Sequence, residues 1–240
     1  MNPLLSLENV SKSFGSFQVT RDLSFHLNRG EALGVLGPNG AGKTTIFNLI
    51  SGDVRADRGR IALDGVDICG QRPHQRCRAG IGRSYQIALP FAGMTVFENL
   101  LVGAMFGAGK ARDEADAICI GVLNRTGLMP KANVLAGSLT LLDRKRLELA
   151  RALATQPQVL LLDEIAGGLT DGEAQQLVGM VNEIRQDGIS IIWIEHVVRA
   201  LMAVATRLLV VNFGEKLAEG EPREVMQSAA VRRVYMGSEE

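Results

Sequence analysis

The sequence predicts an α/β domain built on a mostly parallel sheet, with a small antiparallel β subdomain ahead of it and a helical subdomain inserted in it. Three observations carry that expectation. Residues 32–36, 159–162 and 190–194 are apolar with little alternation, as strands buried on both faces are. Stretches of helical periodicity lie between such strands, the spacing of strand–helix–strand units. A glycine-rich turn joins the first of these strands directly to a helix.

Along the chain, residues 4–10 alternate apolar and polar like an edge strand, and 23–27 repeat the pattern before the Asn28-Arg29-Gly30 turn. The buried strand over 32–36 feeds the glycine turn, and 44–50 reads as the first turns of a helix. Residues 60–63 run into Asp64-Gly65, a tight-turn pair between two short strands, and 81–86 reads as a strand. From 95 to 126 apolar residues fall at helical spacing, first Val96, Leu100, Val102 and Met105, then Ala115, Ile118, Val122 and Leu123. Residues 107–109 part the two segments and Gly127 ends the second. A helix follows over 143–155, a buried strand over 159–162, a helix over 172–187 stopped by Gly188, and a buried strand over 190–194. Residues 207–235 pattern as two short strands and two short helices that close the domain. One domain is expected over 1–240: core and β subdomain from 1–94 and 156–240, helical subdomain from 95–155.

Lysine plus arginine equal aspartate plus glutamate at 26 each, so no polybasic surface argues for nucleic acid. Hydrophobic residues make up 46%, enough for a packed core. Yet no stretch approaches the roughly 18 uncharged apolar residues of a membrane span; the best candidate, 197–211, carries Arg199 and Arg207. Residues 1–10 hold no basic leader before an apolar block, so a cytoplasmic chain without a secretory signal is expected. Cys69, Cys77 and Cys119 fit neither an even disulfide set nor a short-spaced metal pattern, so reduced thiols are expected over a zinc site with His74.

The turn reads Gly37-Pro38-Asn39-Gly40-Ala41-Gly42-Lys43-Thr44-Thr45, the phosphate-binding pattern of glycine, four residues, then Gly-Lys-Thr. Between a strand and a helix it aims backbone N–H groups and the positive helix end at one point. Lys43 then reaches β/γ-phosphates and the Thr44 hydroxyl ligates Mg²⁺. The run Leu160-Leu161-Leu162-Asp163-Glu164 supplies the acidic half, at the carboxyl edge of a buried strand where such sheets bind ligands. Asp163 is placed to hold Mg²⁺ and Glu164 to polarise an attacking water. Gln86, at a strand end, is placed to bridge Mg²⁺ and that water, and His196, after Trp193-Ile194-Glu195, to hydrogen-bond a γ-phosphate.

In this order the parts resemble the ATP-binding subunits of ABC transporters, over nearly the whole chain. The resemblance implies a P-loop NTPase core with an antiparallel β subdomain and an inserted helical subdomain. It makes residues 37–45 the Walker A loop, Gln86 the Q-loop, 139–143 the signature region and 159–163 Walker B. Glu164 becomes the catalytic base, His196 the switch histidine, and Phe14 or Phe17 the residue stacked on adenine. Importer subunits for branched-chain and other hydrophobic amino acids or amides are the most similar, on three segments. These are Ser84-Tyr85-Gln86, Met94-Thr95-Val96-Phe97-Glu98-Asn99-Leu100 and Arg233-Val234-Tyr235-Met236-Gly237. The lipopolysaccharide-export ATPase is similar in length and ending; a soluble non-transport ABC ATPase is the other alternative. The implied activity is Mg²⁺-dependent ATP hydrolysis at the inner face of the cell membrane, reached through a permease that docks on the Gln86–Glu98 region. A second ATP-binding subunit, head to tail, and a substrate-binding protein complete the implied complex.

The chain departs from the family at the signature. Where most members read Leu-Ser-Gly-Gly-Gln, this one reads Leu139-Thr140-Leu141-Leu142-Asp143. Thr140 keeps a hydroxyl for the partner site's γ-phosphate, but both glycines are leucine and Asp143 is expected to repel the anion, with the run Arg144-Lys145-Arg146 placed to offset it. Ile165 stands where the family has proline, and Thr170 where it has the D-loop acid or amide. These changes favour a paralogue over a second copy as the partner. The apolar loop Ile87-Ala88-Leu89-Pro90-Phe91-Ala92-Gly93-Met94 is the expected docking patch for the permease.

Overall fold

A computed structural model describes residues 2–236; Met1 and, of the chain's ending, Gly237 lie outside the described residues. β1 (Leu5–Phe14) and β2 (Phe17–Leu27) pair as an antiparallel hairpin that turns at Gly15, φ 61°. β3 (Ala32–Leu36) is buried throughout and leads through the glycine turn into α1 (Lys43–Ser51). β4 (Arg58–Leu63) and β5 (Val66–Asp67) return to the hairpin and complete a four-stranded sheet in the order β2-β1-β4-β5. The edge-strand expectation for residues 4–10 is corrected here: β1 is paired on both sides. Its alternation records one buried face, not a free edge.

α2 (Pro73–Arg78) precedes β6 (Ile81–Arg83), which stops short of the expected Gln86. Ser84 still bonds the Leu161 carbonyl, after which the chain leaves the sheet for the helical subdomain. There α3 (Val96–Val102) starts on a Thr95–Glu98 capping box and runs into a π-helical turn over Gly103–Gly107. α4 (Arg112–Arg125) and α5 (Leu141–Ala154) complete the subdomain, α5 starting two residues before the expected 143 because Thr140 caps it. β7 (Val159–Asp163), α6 (Asp171–Gln186), β8 (Ser190–Ile194), α7 (Val198–Val204) and β9 (Arg207–Asn212) rebuild the strand–helix alternation. β10 (Glu215–Gly220), α8 (Pro222–Gln227) and α9 (Ala229–Met236) follow, and with β9 they make up the two strands and two helices expected over 207–235. Neither α2 nor α7 is predicted above; at 6 and 7 residues they are too short to display a period.

The second sheet runs β10-β9-β3-β8-β7-β6, parallel from β9 to β6. Each face has its own core, which explains the unbroken apolar strands. Val159 and Leu161 join Phe47, Ile50, Leu7 and Phe25 on the side of α1 and the antiparallel sheet. Leu160 and Leu162 join Leu149, Leu177, Val181 and Leu201 on the side of α5, α6 and α7. A third cluster, including Val96, Leu100, Cys119, Leu123 and Leu147, fills the helical subdomain.

Arg76 of α2 is 1% exposed and plugs the end of α1. It donates to the carbonyls of Leu49 and Ile50 at 2.5 and 3.0 Å, and to those of Gln71 and Cys69 at 3.2 and 3.3 Å. A cation there satisfies the carbonyls a helix end leaves unpaired and complements its dipole. Arg76→Met strips those carbonyls of their donor in a dry site, so urea unfolding should show a stability loss of about 2–4 kcal/mol. A loss below roughly 1 kcal/mol would mean that water replaces the guanidinium.

Candidate nucleotide site

Strand register brings the site residues to one edge of the sheet. Val35 and Asp163 both stand opposite Ile194, so the segments starting at Gly37, Glu164 and Glu195 leave three adjacent strands side by side. That crevice is where open α/β sheets take ligands.

The glycine turn works as its residue types require. Gly40 and Gly42 hold φ of 81° and 99°, and a Cβ on Gly42 would lie 2.7 Å from the Val19 carbonyl oxygen. Lys43 folds back over the turn, its Nζ donating to the Gly37 and Pro38 carbonyls at 2.7 and 3.0 Å. Burial lowers the Lys43 ammonium below the ordinary lysine range, and the charges of Glu164 and Asp163 offset part of that shift. A cleft of about 310 Å³ runs along the turn, lined by Asn39, Gly40, Gly42, Lys43, Thr44 and Thr45, with Glu164, Phe17 and Val19. Phe17 is 66% exposed at this cleft. Phe14, the first choice for adenine stacking, is not in the lining; the Lys12 ammonium lies 5.4 Å from its ring centroid. On this geometry the alternative, Phe17, is the better placed ring.

Opposite the turn, Asp163 is 4% exposed and burial raises its carboxyl above the usual range against the pull of Arg83. The Arg83 guanidinium reaches Asp163 Oδ2 at 3.4 Å and Asn48 Oδ1, Ser51 Oγ and Asp53 Oδ2 at 2.7, 3.0 and 3.1 Å. Glu164 sits at φ 45°, a left-handed conformation that costs a side-chain-bearing residue about 1–3 kcal/mol and clusters at functional sites. Its Oε2 accepts from Gln86 Nε2 at 2.6 Å and lies 3.8 Å from His196 Nδ1. The fully buried Glu195 accepts from the N–H groups of Ala166, His196 and Val197 at 3.1, 3.0 and 3.3 Å and lies 3.1 Å from His196 Nδ1. It thereby sets both the turn after Glu164 and the ring of His196. Thr44, Gln86 and Asp163 line a second hollow of about 470 Å³ and offer hydroxyl, amide and carboxylate oxygens, donors that suit a hard divalent cation. Among the described residues no group of three His, Cys, Asp or Glu side chains could hold a metal, so a cation here would take its other ligands from phosphate and water.

The signature segment lies apart from this chain's own phosphate turn, at the start of α5. Thr140 is the N-cap: its hydroxyl accepts from Asp143 N at 3.3 Å and donates to Asp143 Oδ2 at 2.8 Å. Asp143 is 4% exposed and paired with Lys131, with Arg146 3.7 Å away. Burial alone would raise its carboxyl, but Lys131, Thr140 and Arg146 outweigh it and hold it below the usual range. The expected repulsion by Asp143 is therefore largely compensated within the chain. The bulk of the leucines remains, with Leu141 48% exposed at the helix start. Thr170 likewise proves to be a helix cap, in a capping box with Glu173 on α6.

A glycine turn feeding a helix, carboxylates at the same sheet edge two strands away and a capped helix from an inserted subdomain together define a nucleoside-triphosphate cassette. Comparison with known proteins agrees. The ABC transporter family model matches residues 20–167, and the chain belongs to that family as an ATP-hydrolysing cassette. The chain is 36% identical over 250 residues to LivG, the high-affinity branched-chain amino acid transport ATP-binding protein of Salmonella typhimurium, covering 98% of each. It is 35% identical over 240 residues to LptB, the lipopolysaccharide export ATP-binding protein of Haemophilus influenzae, again covering 98% of each. Among solved structures it is similar to the ADP conformation of an ABC transporter's ATP-binding cassette, at 30% identity and TM-score 0.90, over 99% of this chain and 100% of that one.

The sequence did not single out Arg83 or Glu195, and Lys145, expected with its neighbours to offset Asp143, instead bonds the Gln86 and Glu164 carbonyls. Glu195 left a signal, a carboxylate closing an otherwise apolar strand. Arg83 left none, since a lone arginine on a short strand reads as solvated until the fold encloses it. The close approach at Gly42 gives a test of the turn. Gly42→Ala should weaken ATP binding at least tenfold, about 1.4 kcal/mol, in titration with a fluorescent nucleotide. An unchanged affinity would show that the turn relaxes around the methyl group.

Proposed function

We propose that the chain is the energy-coupling ATPase of an importer for branched-chain or related hydrophobic amino acids or amides. The end-to-end match to LivG, 36% identical with 98% of both chains covered, is the observation that carries this reading. In it, ATP lies along the 37–45 turn, with its phosphates facing the backbone N–H groups and Lys43 leaving its carbonyl partners for the β/γ-phosphates. Thr44, Asp163 and Gln86 are the residues that would hold Mg²⁺, which when bound neutralises developing phosphate charge. Glu164 takes the proton of the attacking water, Gln86 orients that water, and His196, steadied by Glu195, hydrogen-bonds the γ-phosphate.

The rest of the reading concerns partners. No helix among the described residues is long and apolar enough to cross a membrane, so attachment to the inner face of the cell membrane would come through a permease. Ile87, Leu89 and Phe91 are 69%, 74% and 45% exposed, an apolar loop continuous with the hollow that holds Gln86. Such a patch suits a cytoplasmic helix of the permease. A substrate-binding protein completes the importer. The second ATP-binding subunit is a paralogue, arranged head to tail. One composite site uses this chain's Lys43 and Glu164 and turns over normally. The other relies on this chain's 139–143 segment, where Leu141 and Leu142 crowd the phosphate and the Thr140 hydroxyl is already engaged with Asp143.

Deleting the chain should abolish uptake of radiolabelled leucine, with rescue by the wild type and none by Glu164→Gln. The 35% identity to LptB supports a second reading, and intact uptake with a leaky outer membrane would favour it. The asymmetry makes its own prediction. Glu164→Gln should cut turnover of the complex by about 100-fold or more, while the same change in the partner costs less than about fivefold; equal losses sink the asymmetry.

A further inference from the structure

α5 carries a buried ammonium group two residues beyond the signature segment. Lys145 is 6% exposed, and its Nζ donates to the main-chain carbonyl of Gln86 at 2.9 Å and to that of Glu164 at 3.4 Å. A lysine enclosed in this way is costly to hold unless its donors are satisfied. Burial lowers its pKa, and the carboxylates of Glu195, Glu148, Glu164 and Asp163 offset that from nearby. Its two acceptors stand just past the ends of β6 and β7; the Glu164 N–H still bonds the Ile194 carbonyl at 2.8 Å, whereas the Gln86 segment has left the sheet. Gln86 lies beyond the end of β6, in a stretch without regular structure, and Glu164 is held at φ 45°. Backbone in that conformation persists only where its surroundings over-determine it.

We infer that Lys145 is a positioning residue for ATP hydrolysis, holding the main chains of Gln86 and Glu164 so that their side chains meet. The two side chains do meet, Nε2 to Oε2 at 2.6 Å. Lys145 touches no substrate-facing atom. It acts through the pair, and because it rides on the helix that begins at Thr140, it also carries the placement of the signature segment to this chain's own water-activating residues. The inference needs only ATP hydrolysis and is independent of which substrate is transported.

The test compares Lys145→Met with Lys145→Arg in the full chain within its assembled complex. Steady-state hydrolysis, affinity for a fluorescent ATP analogue and thermal unfolding are read on each. Lys145→Met should lower kcat at least fivefold with nucleotide affinity within twofold of wild type, because the phosphate turn is untouched. Lys145→Arg keeps charge and donors and should restore most of the rate. In a Gln86→Ala background the methionine change should cost less than in the wild type, since half of what it positions is gone. If the methionine variant does not fold, Lys145→Gln, which keeps a shorter donor, takes its place under the same criteria. A kcat loss below fivefold overturns the inference, as does affinity falling in step with kcat, an arginine variant as slow as the methionine one, or full additivity with Gln86→Ala.

Discussion

Burial of the parallel strands on both faces is the constraint on which the rest of the molecule depends. Along β7, Val159 and Leu161 enter one core while Leu160 and Leu162 enter the other. A one-residue slip in pairing would exchange the two sets, placing side chains shaped for one core in the other. Register is therefore fixed by packing, and with it the level at which Asp163 emerges beside Ile194 and the level at which β3 releases the glycine turn. The chemistry at the crevice inherits its precision from aliphatic side chains that never touch the nucleotide.

The signature segment shows how a departure in sequence can spare the fold and still alter a site. Starting α5 requires a hydroxyl cap and a residue three places on that answers it, and Thr140 with Asp143 meets that need. Glycines contribute nothing to starting a helix; they lower its stability. Their value in the family pattern lies in letting an anion approach the first turn closely. Leucines at 141 and 142 therefore favour the helix locally and put branched side chains, Leu141 48% exposed, on its first turn. Lys131 shows the same separation, since it is bound up in compensating Asp143.

Much of this was legible in the sequence because the signals were periodic or local. The apolar runs, the Gly-Lys-Thr turn and the Asp163-Glu164 pair each declare themselves within a few residues, and the fold brings them together as their order suggests. What stayed hidden was set by contacts between distant segments. β1 looks like an edge strand because alternation reports faces and is silent about neighbours. The expected strand over 81–86 ends early because pairing with β7 runs out, which residues 84–86 do not encode. Phe14 and Phe17 are indistinguishable by type; only the curl of the hairpin over the turn puts Phe17 at the cleft. Arg83, caught between α1 and Asp163, is a case where enclosure by three elements turns an ordinary arginine into part of a site.

α5 is shared between the two subdomains, and its composition says how motion can pass between them. Leu149, Ala152 and Leu153 of α5 pack into the sheet core, whereas Leu147, Ala150 and Ala154 pack into the helical cluster. The helix is thus a member of both cores and moves with neither alone. Its contacts to the loop after β6 are of another kind: Lys145 to the Gln86 carbonyl, and Arg151 to the Leu89 carbonyl with its guanidinium 5.0 Å from the Phe91 ring centroid. Arg151, a quarter exposed, can trade its contacts for water at little net cost, unlike a packed apolar face, whereas the buried Lys145 cannot. A displacement of the exposed loop at Phe91 thus has a direct route, through α5, to the backbone of the residues facing the nucleotide. The apolar packing of α5 and the buried Lys145 keep that route stiff, and the partly exposed Arg151 lets the loop shift at its outer end.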